Sequence, residues 1–433
     1  MPLHRPTIHS THLLQKLTAI LFLFLTPLLA HAQDSVITLA GVPQIIGPTN
    51  GTGTNALLGD PTAIVMDAGG NYYFTDTANH AIRKITTNGV VSTFAGKLGV
   101  YGLVNATGTN AEFYLPNGLA FDKSGNLYVS DTGNNLIRKI TTGGVVSTFA
   151  GAGGDPAYQD GPTTTALFSS PLGIVVWTNG NIFIADGGNH CIREIIGTTV
   201  STFAGTPQIW GTNDATGTNA QFNAPCALTF DTKGNLFVSD ANNDTIRKIT
   251  TNAIVTTYAG RAGGDGTTDG TLTNARFRSP AGLAFDQKGN LYVADSYNQT
   301  IRKIGTNGLV TTVSGVAGVS GSQDGTNGVA RYYNPYGLIV ATNGSLVVAD
   351  AYNETIRVLL VPFQLSMQIT NSTHTPTLTW STVIGHTYQP QYQTYLSAPW
   401  LNLGPLLTAT NLTTTVTDTY TSGSHFYRVL QVN

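Results

Sequence analysis

The stretch GNLYVSDTGNNLIRKI, residues 125–140, decides the fold of this chain, because variants of it recur six times. Each copy has an aspartate followed seven residues later by an arginine, and successive copies lie 54 or 55 residues apart. A period of this size predicts stacked or ringed units that bury their apolar surfaces only against their neighbours. The repeated pairs are Asp76 and Arg83, Asp131 and Arg138, Asp186 and Arg193, Asp240 and Arg247, Asp295 and Arg302, and Asp350 and Arg357.

One unit, residues 116–151, is predicted to form four short strands. The segments PNGLAFD, NLYVSD, LIRKI and VVSTFAG follow one another with short turns between them, which favours antiparallel hairpins. Strands such as LYVSD are apolar on both faces, as expected for sheets packed between neighbouring sheets. Four antiparallel strands repeated six times predict an all-β protein with a six-bladed β-propeller over residues 33–362.

The N-terminal segment VITLAG, residues 36–41, resembles the VSTFAG-type strand that ends each of the first five units. The sixth unit has no evident strand of this type. We therefore expect residues 36–41 to complete the last blade and close the ring. Residues 365–370 are an alternative strand for the same place.

A long connection precedes each unit and ends in an alanine, then an apolar or aromatic residue two positions later, then a proline. We expect the aromatic residue to fill the gap between blades and the proline to stiffen the first strand. Because strands alternate in direction, these connections share one rim of the ring with the loops that follow the aspartates. The connections vary in sequence, so this loop-rich face is the expected recognition surface.

The N-terminus has the pattern of an export signal. Basic residues precede an apolar run over residues 17–30, and Ala30-His31-Ala32 supplies small residues for cleavage after Ala32. Residues 1–32 are therefore predicted to be a signal peptide, with an uncleaved anchor as the alternative. No later stretch is long enough to span a membrane, so we expect a secreted or cell-surface protein with no transmembrane segment after cleavage.

The C-terminal segment, residues 363–433, lacks the 55-residue period. Its threonine-rich β segments predict a small β-sandwich of fibronectin-III-like type. The expected core residues are Trp380, Tyr388, Trp400 and Phe426.

The amino-acid composition limits the classes of partner that this protein is expected to bind. Only 10% of residues are charged and the formal net charge is −2, so no large basic face is available for nucleic-acid phosphates.

The only cysteines, Cys191 and Cys226, fall on different strands of consecutive units. Their expected separation exceeds the reach of a disulfide, which predicts two free buried thiols. We expect a monomer.

The segments DTANHAIRKI, residues 76–85, and DGGNHCIREI, residues 186–195, resemble the NHL repeat. In that family an aspartate, an Asn-His pair and a following aliphatic residue mark each blade. The resemblance covers about residues 36–360, although the histidine occurs only at His80 and His190. It implies a propeller that acts as an interaction platform, since only a minority of related propellers are enzymes. The long connections resemble secreted and cell-surface members, and the tail resembles modules ending in FYRV in secreted bacterial repeat proteins.

The repeated aspartate and arginine are assigned a structural role at the blade corners. An active site needs one asymmetric cluster, whereas this pair occurs in every unit. The asparagine three residues after each aspartate is expected to adopt a left-handed turn conformation. The residue after it varies, and we expect it to be polar and exposed.

Metal binding is not favoured. His80, His190, Asp244 and Glu354 occupy equivalent positions in four different blades, too far apart to share one ion. The segment GGDGTTDG, residues 263–270, comes nearest to a calcium loop, but its Asp-Gly pairs favour ordinary turns. We identify no catalytic residue, metal-ligand set or cofactor.

The leading hypothesis is a scaffold that binds a protein or glycan through the loop-rich face, with the sandwich as a spacer or second binding module. One alternative is an extracellular lyase or lactone hydrolase with an axial metal, although the inner strands offer almost no ligands for it. Another is a structural role at the cell surface. The candidate partner-binding residues are His80, Asn135, His190, Asp244, Gln299 and Glu354, joined at the axial entry by Tyr114, Asn117, Arg278, Tyr333 and Tyr336.

Overall fold

The computed structural model describes residues 35–360, 365–369, 376–381, 387–394, 398–409, 413–419 and 426–431. Ala32–Pro362 forms one compact unit, and Phe363–Asn433 belongs to a second. The predicted signal peptide lies outside the described residues. Within those residues, the structure contains no helix of the length and apolar character that a membrane crossing needs.

The first unit is a six-bladed propeller, as predicted. Each blade is an antiparallel sheet whose four main strands follow chain order from the axis outwards, except that an N-terminal strand is outermost in blade six. The main strands are Pro61–Met66, Tyr72–Asp76, Ala81–Ile85 and Val90–Ala95 in blade one; Pro116–Phe121, Leu127–Asp131, Leu136–Ile140 and Val146–Ala150 in blade two; Pro171–Val176, Ile182–Asp186, Cys191–Ile196 and Thr199–Ala204 in blade three; Pro225–Phe230, Leu236–Asp240, Thr245–Ile249 and Val255–Gly260 in blade four; Pro280–Phe285, Leu291–Asp295, Thr300–Ile304 and Leu309–Gly315 in blade five; and Pro335–Val340, Leu346–Asp350, Thr355–Leu360 and Ser35–Ala40 in blade six.

The N-terminal strand closes the ring. Ser35–Ala40 pairs antiparallel with Thr355–Leu360, so that Val36 lies opposite Leu359. This confirms the predicted closure. The alternative was wrong, because Leu365–Ile369 pairs with Pro376–Ser381 in the second unit.

Short strands and 3-10 helices flank the main strands of the blades. Two-residue strands extend four of the sheets, and 3-10 helices follow the second strand or lie in the connections. They are Gly51–Thr52, Gly161–Pro162, Gly270–Thr271 and Gly325–Thr326 among the strands, and Gly53–Asn55, Gly108–Asn110, Thr132–Asn134, Gly187–Asn189, Gly217–Asn219, Ala241–Asn243, Leu272–Asn274, Ser296–Asn298 and Ala351–Asn353 among the helices.

The apolar core lies between adjacent blades. Phe113, from the connection before blade two, packs with Ile82 of blade one and Val129 of blade two. Its equivalents in the other connections are also buried. This confirms that the aromatic residue before each proline fills the gap between blades.

The innermost strands approach each other closely around the axis. A Cβ added to Gly118 would lie 2.1 Å from the carbonyl oxygen of Leu172 in the next blade. Gly173, Gly282 and Gly337 occupy the same position and are equally confined by the strand that follows. Glycine is therefore required at these four junctions because a side chain would push the blades apart.

The second unit contains two antiparallel sheets. One consists of Leu365–Ile369, Pro376–Ser381 and Thr413–Thr417, and the other of Thr387–Gln393, Leu401–Asn402, Leu407–Thr408 and Phe426–Gln431. Trp380 and Tyr388 are buried together between them, as predicted. Trp400 is only half-buried, and the side chain of Phe426 lies outside the described part. The fibronectin-III-like assignment stays a prediction.

Candidate functional site

The repeated Asp–Arg pair forms a buried ion pair at the corner of each blade. In blade two, Arg138 Nη1 donates to Asp131 Oδ2 at 2.6 Å, and the other five pairs are separated by 2.5–2.8 Å. Asp131 Oδ1 also accepts the backbone N–H of Tyr114 in the preceding connection. Burial raises the pKa of the equivalent Asp186 to about 6, against the opposing charge of Arg193. Both side chains are buried in every blade, so they hold the corner and are not accessible to a partner.

The other end of each arginine is held by the long connection. In blade three, Arg193 Nη2 donates to Asp160 at 2.7 Å, and its guanidinium lies 5.0 Å from the ring centroid of Phe168. Asparagine replaces this aspartate in the first two blades, where Asn105 accepts from Arg138. Arg138 therefore has one carboxylate partner, whereas Arg193 has two.

The asparagine after each aspartate has a different role from the one predicted. Asn79 Nδ2 donates to Asp76 Oδ1 and to the carbonyl of Gly47, both at 2.9 Å. The left-handed residue is the next one, His80, with φ 57°. The predicted backbone conformation was therefore assigned one position too early, because the 3-10 turn ends after the asparagine.

The six variable residues that follow the asparagines connect neighbouring blades. Each accepts a hydrogen bond from the backbone N–H of the residue that precedes the next blade's proline. The pairs are His80 with Leu115, Asn135 with Ser170, His190 with Ala224, Asp244 with Ser279, Gln299 with Asn334, and Glu354 with Asp60. The residue types differ, but each supplies an acceptor to a backbone group that is itself left-handed. The variation is thus limited by a structural requirement.

This arrangement changes the expected exposure of these residues. Asn135 and Glu354 are only 6% exposed, and the other four are half-buried. The prediction that these variable residues are exposed was wrong, because their side chains turn towards the next blade. Burial lowers the pKa of His80 and His190, which favours the neutral imidazole whose Nδ1 accepts these hydrogen bonds.

The residues that follow the six prolines begin the innermost strands, at the loop-rich end of the axis, which we call the axial mouth. Four of them, Leu172, Cys226, Ala281 and Tyr336, pack together there. Tyr336 reaches across the axial mouth, and its hydroxyl oxygen accepts a hydrogen bond from Cys226 Sγ at 3.0 Å. The six residues are Thr62, Asn117, Leu172, Cys226, Ala281 and Tyr336. Only Cys226 is of a type that commonly binds zinc, and none is a carboxylate. This ring does not fit the axial metal centre of the enzymatic alternative.

Aspartates of the Asp-Gly segments hold the long connections against the blades. Asp269 in segment 263–270 accepts from Arg302 at 2.7 Å and from the backbone N–H of Thr312 at 3.0 Å. Across the described residues, no three His, Cys, Asp or Glu side chains are grouped as a metal site would need. Cys191 and Cys226 are free and buried, as predicted.

A small pocket lies between blades five and six on the loop-rich face. Its volume is about 270 Å³, and we call it the tyrosine pocket. The rings of Tyr333 and Tyr352 meet edge to face, with centroids 5.2 Å apart. The lining residues are Arg278, Tyr297, Gln299, Tyr333, Asn334 and Tyr352.

A second aromatic group, the His80 cluster, lies between blades one and two. The ring centroid of His80 lies 5.8 Å from that of Tyr101 and 5.7 Å from that of Tyr114, and the centroids of the two tyrosine rings are 5.2 Å apart. Tyr101 and Tyr114 are exposed. The His80 cluster is therefore a solvent-facing aromatic surface next to an inter-blade contact.

The predicted partner-binding residues divide into separate groups. Arg278, Gln299 and Tyr333 meet in the tyrosine pocket, His80 and Tyr114 meet in the His80 cluster, and Asn117 and Tyr336 lie at the axial mouth. Asn135, His190, Asp244 and Glu354 remain separate at four other blade junctions. Tyr297, Tyr352 and Tyr101 were not predicted.

Comparison with known proteins agrees with this geometry. The NHL repeat family matches residues 113–140, 168–195 and 277–304, each running from a connection through the third strand of a blade. NHL repeat-containing protein 2 of Bos taurus is 30% identical over 338 residues, covering 69% of this chain and 46% of that protein. The chain carries NHL repeats. The human NHL repeat-containing protein 2 is 29% identical over 322 residues, covering 66% of this chain and 44% of its own length. The chain thus spans less than half the length of these relatives.

Solved structures share the fold of the NHL-repeat ring. A Bacteroides thetaiotaomicron protein of unknown function aligns with a TM-score of 0.58 and 20% identity, covering 75% of each chain. An auxiliary nutrient binding protein from the same organism aligns with a TM-score of 0.59 and 16% identity, covering 75% of this chain and 76% of that one. At these identities the likeness concerns the fold alone.

One recurring position of the NHL repeats was missed in the sequence. The residue that holds the outer end of each arginine has the same 54- or 55-residue period as the arginine itself. It lies in connections that otherwise vary, and it is asparagine in the first two blades but aspartate in the other four, so its recurrence was not recognised. The six residues are Asn50, Asn105, Asp160, Asp214, Asp269 and Asp324.

Proposed function

We propose that this protein is an exported NHL-repeat propeller that acts as a binding scaffold, and that its loop-rich face binds a protein or glycan partner. One observation carries the proposal: the loop-rich face gathers solvent-exposed tyrosines into two groups, the tyrosine pocket and the His80 cluster. Exposed aromatic groups of this kind mark interaction sites, since a tyrosine offers a large apolar ring with a polar tip.

The construction of the propeller supports a scaffold role. The repeated charged side chains are buried in ion pairs, and the variable acceptors are engaged between blades. A rigid ring therefore presents its loops without using its repeated polar groups for chemistry. The auxiliary nutrient binding protein is a precedent for a binding protein with a similar fold.

The test compares the two faces of the ring. The protein would be immobilised and incubated with secreted proteins and with polysaccharides from the source organism. We expect the double variant Tyr114→Ala with Tyr333→Ala to lose about tenfold or more of partner affinity. The matched control is Ile196→Ala, which removes an exposed apolar side chain beside the short turn on the opposite rim.

Thermal unfolding of both variants would check that the ring remains intact. Retained capture by the double variant would contradict the assignment to this face. Equal loss in the Ile196→Ala control would also contradict it, because that side chain lies away from the loop-rich rim.

A further inference from the structure

The tyrosine pocket has the features of a site for one small ring. We propose that it binds a sugar residue, a hexose or hexuronic acid unit of a glycan. This inference rests on the proposed function and specifies its ligand. The pocket volume of about 270 Å³ falls just below the usual range for drug-sized ligands, which suits a single ring.

The tyrosine rings are already positioned for stacking. Tyr297, Tyr333 and Tyr352 are 53%, 37% and 46% exposed, so each keeps ring surface open to a ligand. The backbone N–H of Tyr352 donates to the carbonyl of Tyr333 at 3.0 Å, and that of Tyr297 donates to the carbonyl of Arg278 at 3.1 Å. These bonds hold the backbone that carries the tyrosines, and the ring contact between Tyr333 and Tyr352 orients those two rings. Pre-positioned aromatic faces suit the C–H face of a sugar.

Asn334 is the most deeply buried residue of the pocket lining. Its backbone N–H donates to Gln299 Oε1 at 2.6 Å, which fixes its place at the junction of blades five and six. The residue is 6% exposed, and its Oδ1 is buried without a hydrogen-bond partner among the described residues. This oxygen is closed to a ligand as the side chain stands, so the polar groups open to a sugar are the exposed side chains of Tyr297, Tyr352 and Arg278.

Charge and lining chemistry separate a sugar from other ligands. Arg278 contributes a guanidinium, which lies 3.5 Å from Asp265 and remains more than half exposed. A quaternary ammonium, which aromatic cages often bind, has the same charge as the exposed Arg278 and cannot form hydrogen bonds with the polar side chains of the lining. Proline-rich peptides also dock against exposed aromatic side chains, so such a peptide is a competing probe for this pocket. The six lining residues are phenols, amides and a guanidinium, which suit a ligand with many hydroxyl groups. A uronic acid carboxylate could pair with Arg278.

The experiment titrates the full-length protein with four probes, using isothermal calorimetry and ligand-observed NMR. The probes are a neutral β-linked hexose hexamer, a hexamer of galacturonic acid, choline and a proline-rich peptide. We expect a hexamer to bind and Tyr297→Ala or Tyr333→Ala to weaken it about tenfold. If the acidic hexamer binds, Arg278→Gln should weaken it more than the neutral one.

The matched control is Trp210→Ala, because Trp210 is 66% exposed but lies in the connection between blades three and four. It should leave sugar binding unchanged. Binding of choline or the peptide alone would overturn the sugar assignment, as would failure of both hexamers to bind. A sugar signal lost equally in Trp210→Ala would reveal nonspecific stacking and would also overturn it. If no sugar binds but the Tyr114/Tyr333 double variant still loses its partner, the scaffold proposal stands and this inference fails.

Discussion

Glu354 offers a sharp test of the inter-blade contacts, because it closes the ring between blade six and blade one. Its Oε2 accepts the backbone N–H of Asp60, and the residue is buried. Gln299 makes the equivalent contact to Asn334 with a neutral amide. Glu354→Gln should therefore keep the hydrogen bond and remove only the charge.

The size of the expected change in the free energy of unfolding follows from the pKa of Glu354. Burial raises this pKa from 4.5 to about 7, with added repulsion from the carboxyls of Asp60 and Asp76. Because the folded-state pKa lies above the unfolded one, the folded state favours protonated Glu354. The resulting stabilisation is complete below the unfolded pKa and is lost as pH rises through about 7. The shift sets an upper limit of about 3 kcal/mol.

We therefore expect Glu354→Gln to raise the free energy of unfolding by about 1–3 kcal/mol at pH near 8, with almost no effect at pH near 4. Urea titrations of variant and wild type at several pH values measure the difference directly. Gln299→Glu is the converse control and should destabilise the protein as pH rises. A Glu354→Gln variant that is less stable at high pH, or a difference independent of pH, would refute the reasoning.

Two further matched pairs test the architecture by urea unfolding. Asp131→Asn should lower the free energy of unfolding by about 3–5 kcal/mol, because the buried Arg138 loses its only carboxylate partner. Asp186→Asn should lower it by only about 1–3 kcal/mol, because Arg193 keeps a second aspartate partner. Equal losses of stability would contradict the two-carboxylate explanation. Gly118→Ala should cost about 1–3 kcal/mol because its Cβ would meet the next blade's backbone. Gly143→Ala, in an open turn, should change stability by less than about 0.5 kcal/mol; similar effects for both glycine variants would argue against tight inter-blade packing.

The repeat made the architecture predictable. The spacing of Asp131 and its equivalents predicted six blades, and the likeness of residues 36–41 to the outer strands predicted the closure by Ser35–Ala40. Phe113 was correctly placed between blades because a recurring aromatic residue before a proline has few other roles in a ring. These features depend on local patterns that repeat in register, so one chain contains six observations of each.

The candidate site was less predictable because its contacts join residues from different units. Gln299 and Asn334 are 35 positions apart, and nothing in either local sequence shows that one bonds the other. The variable positions looked like free recognition residues, but a shared acceptor function explains their chemistry. Tyr297 and Tyr352 were overlooked because neither is repeated in the first four blades.

The blade, the number of blades and the structural Asp–Arg corner follow from the repeated sequence pattern, because each arises from short-range contacts under the same packing constraint. The directions of the variable side chains and the contacts among the tyrosines depend instead on how the blades pack in three dimensions. Ring closure brings successive blades together at a fixed angle, so a left-handed residue such as His80 directs its side chain to the next blade. The packing of successive blades also brings Tyr297 of blade five to Tyr333 and Tyr352 of blade six, where the proposed sugar site lies.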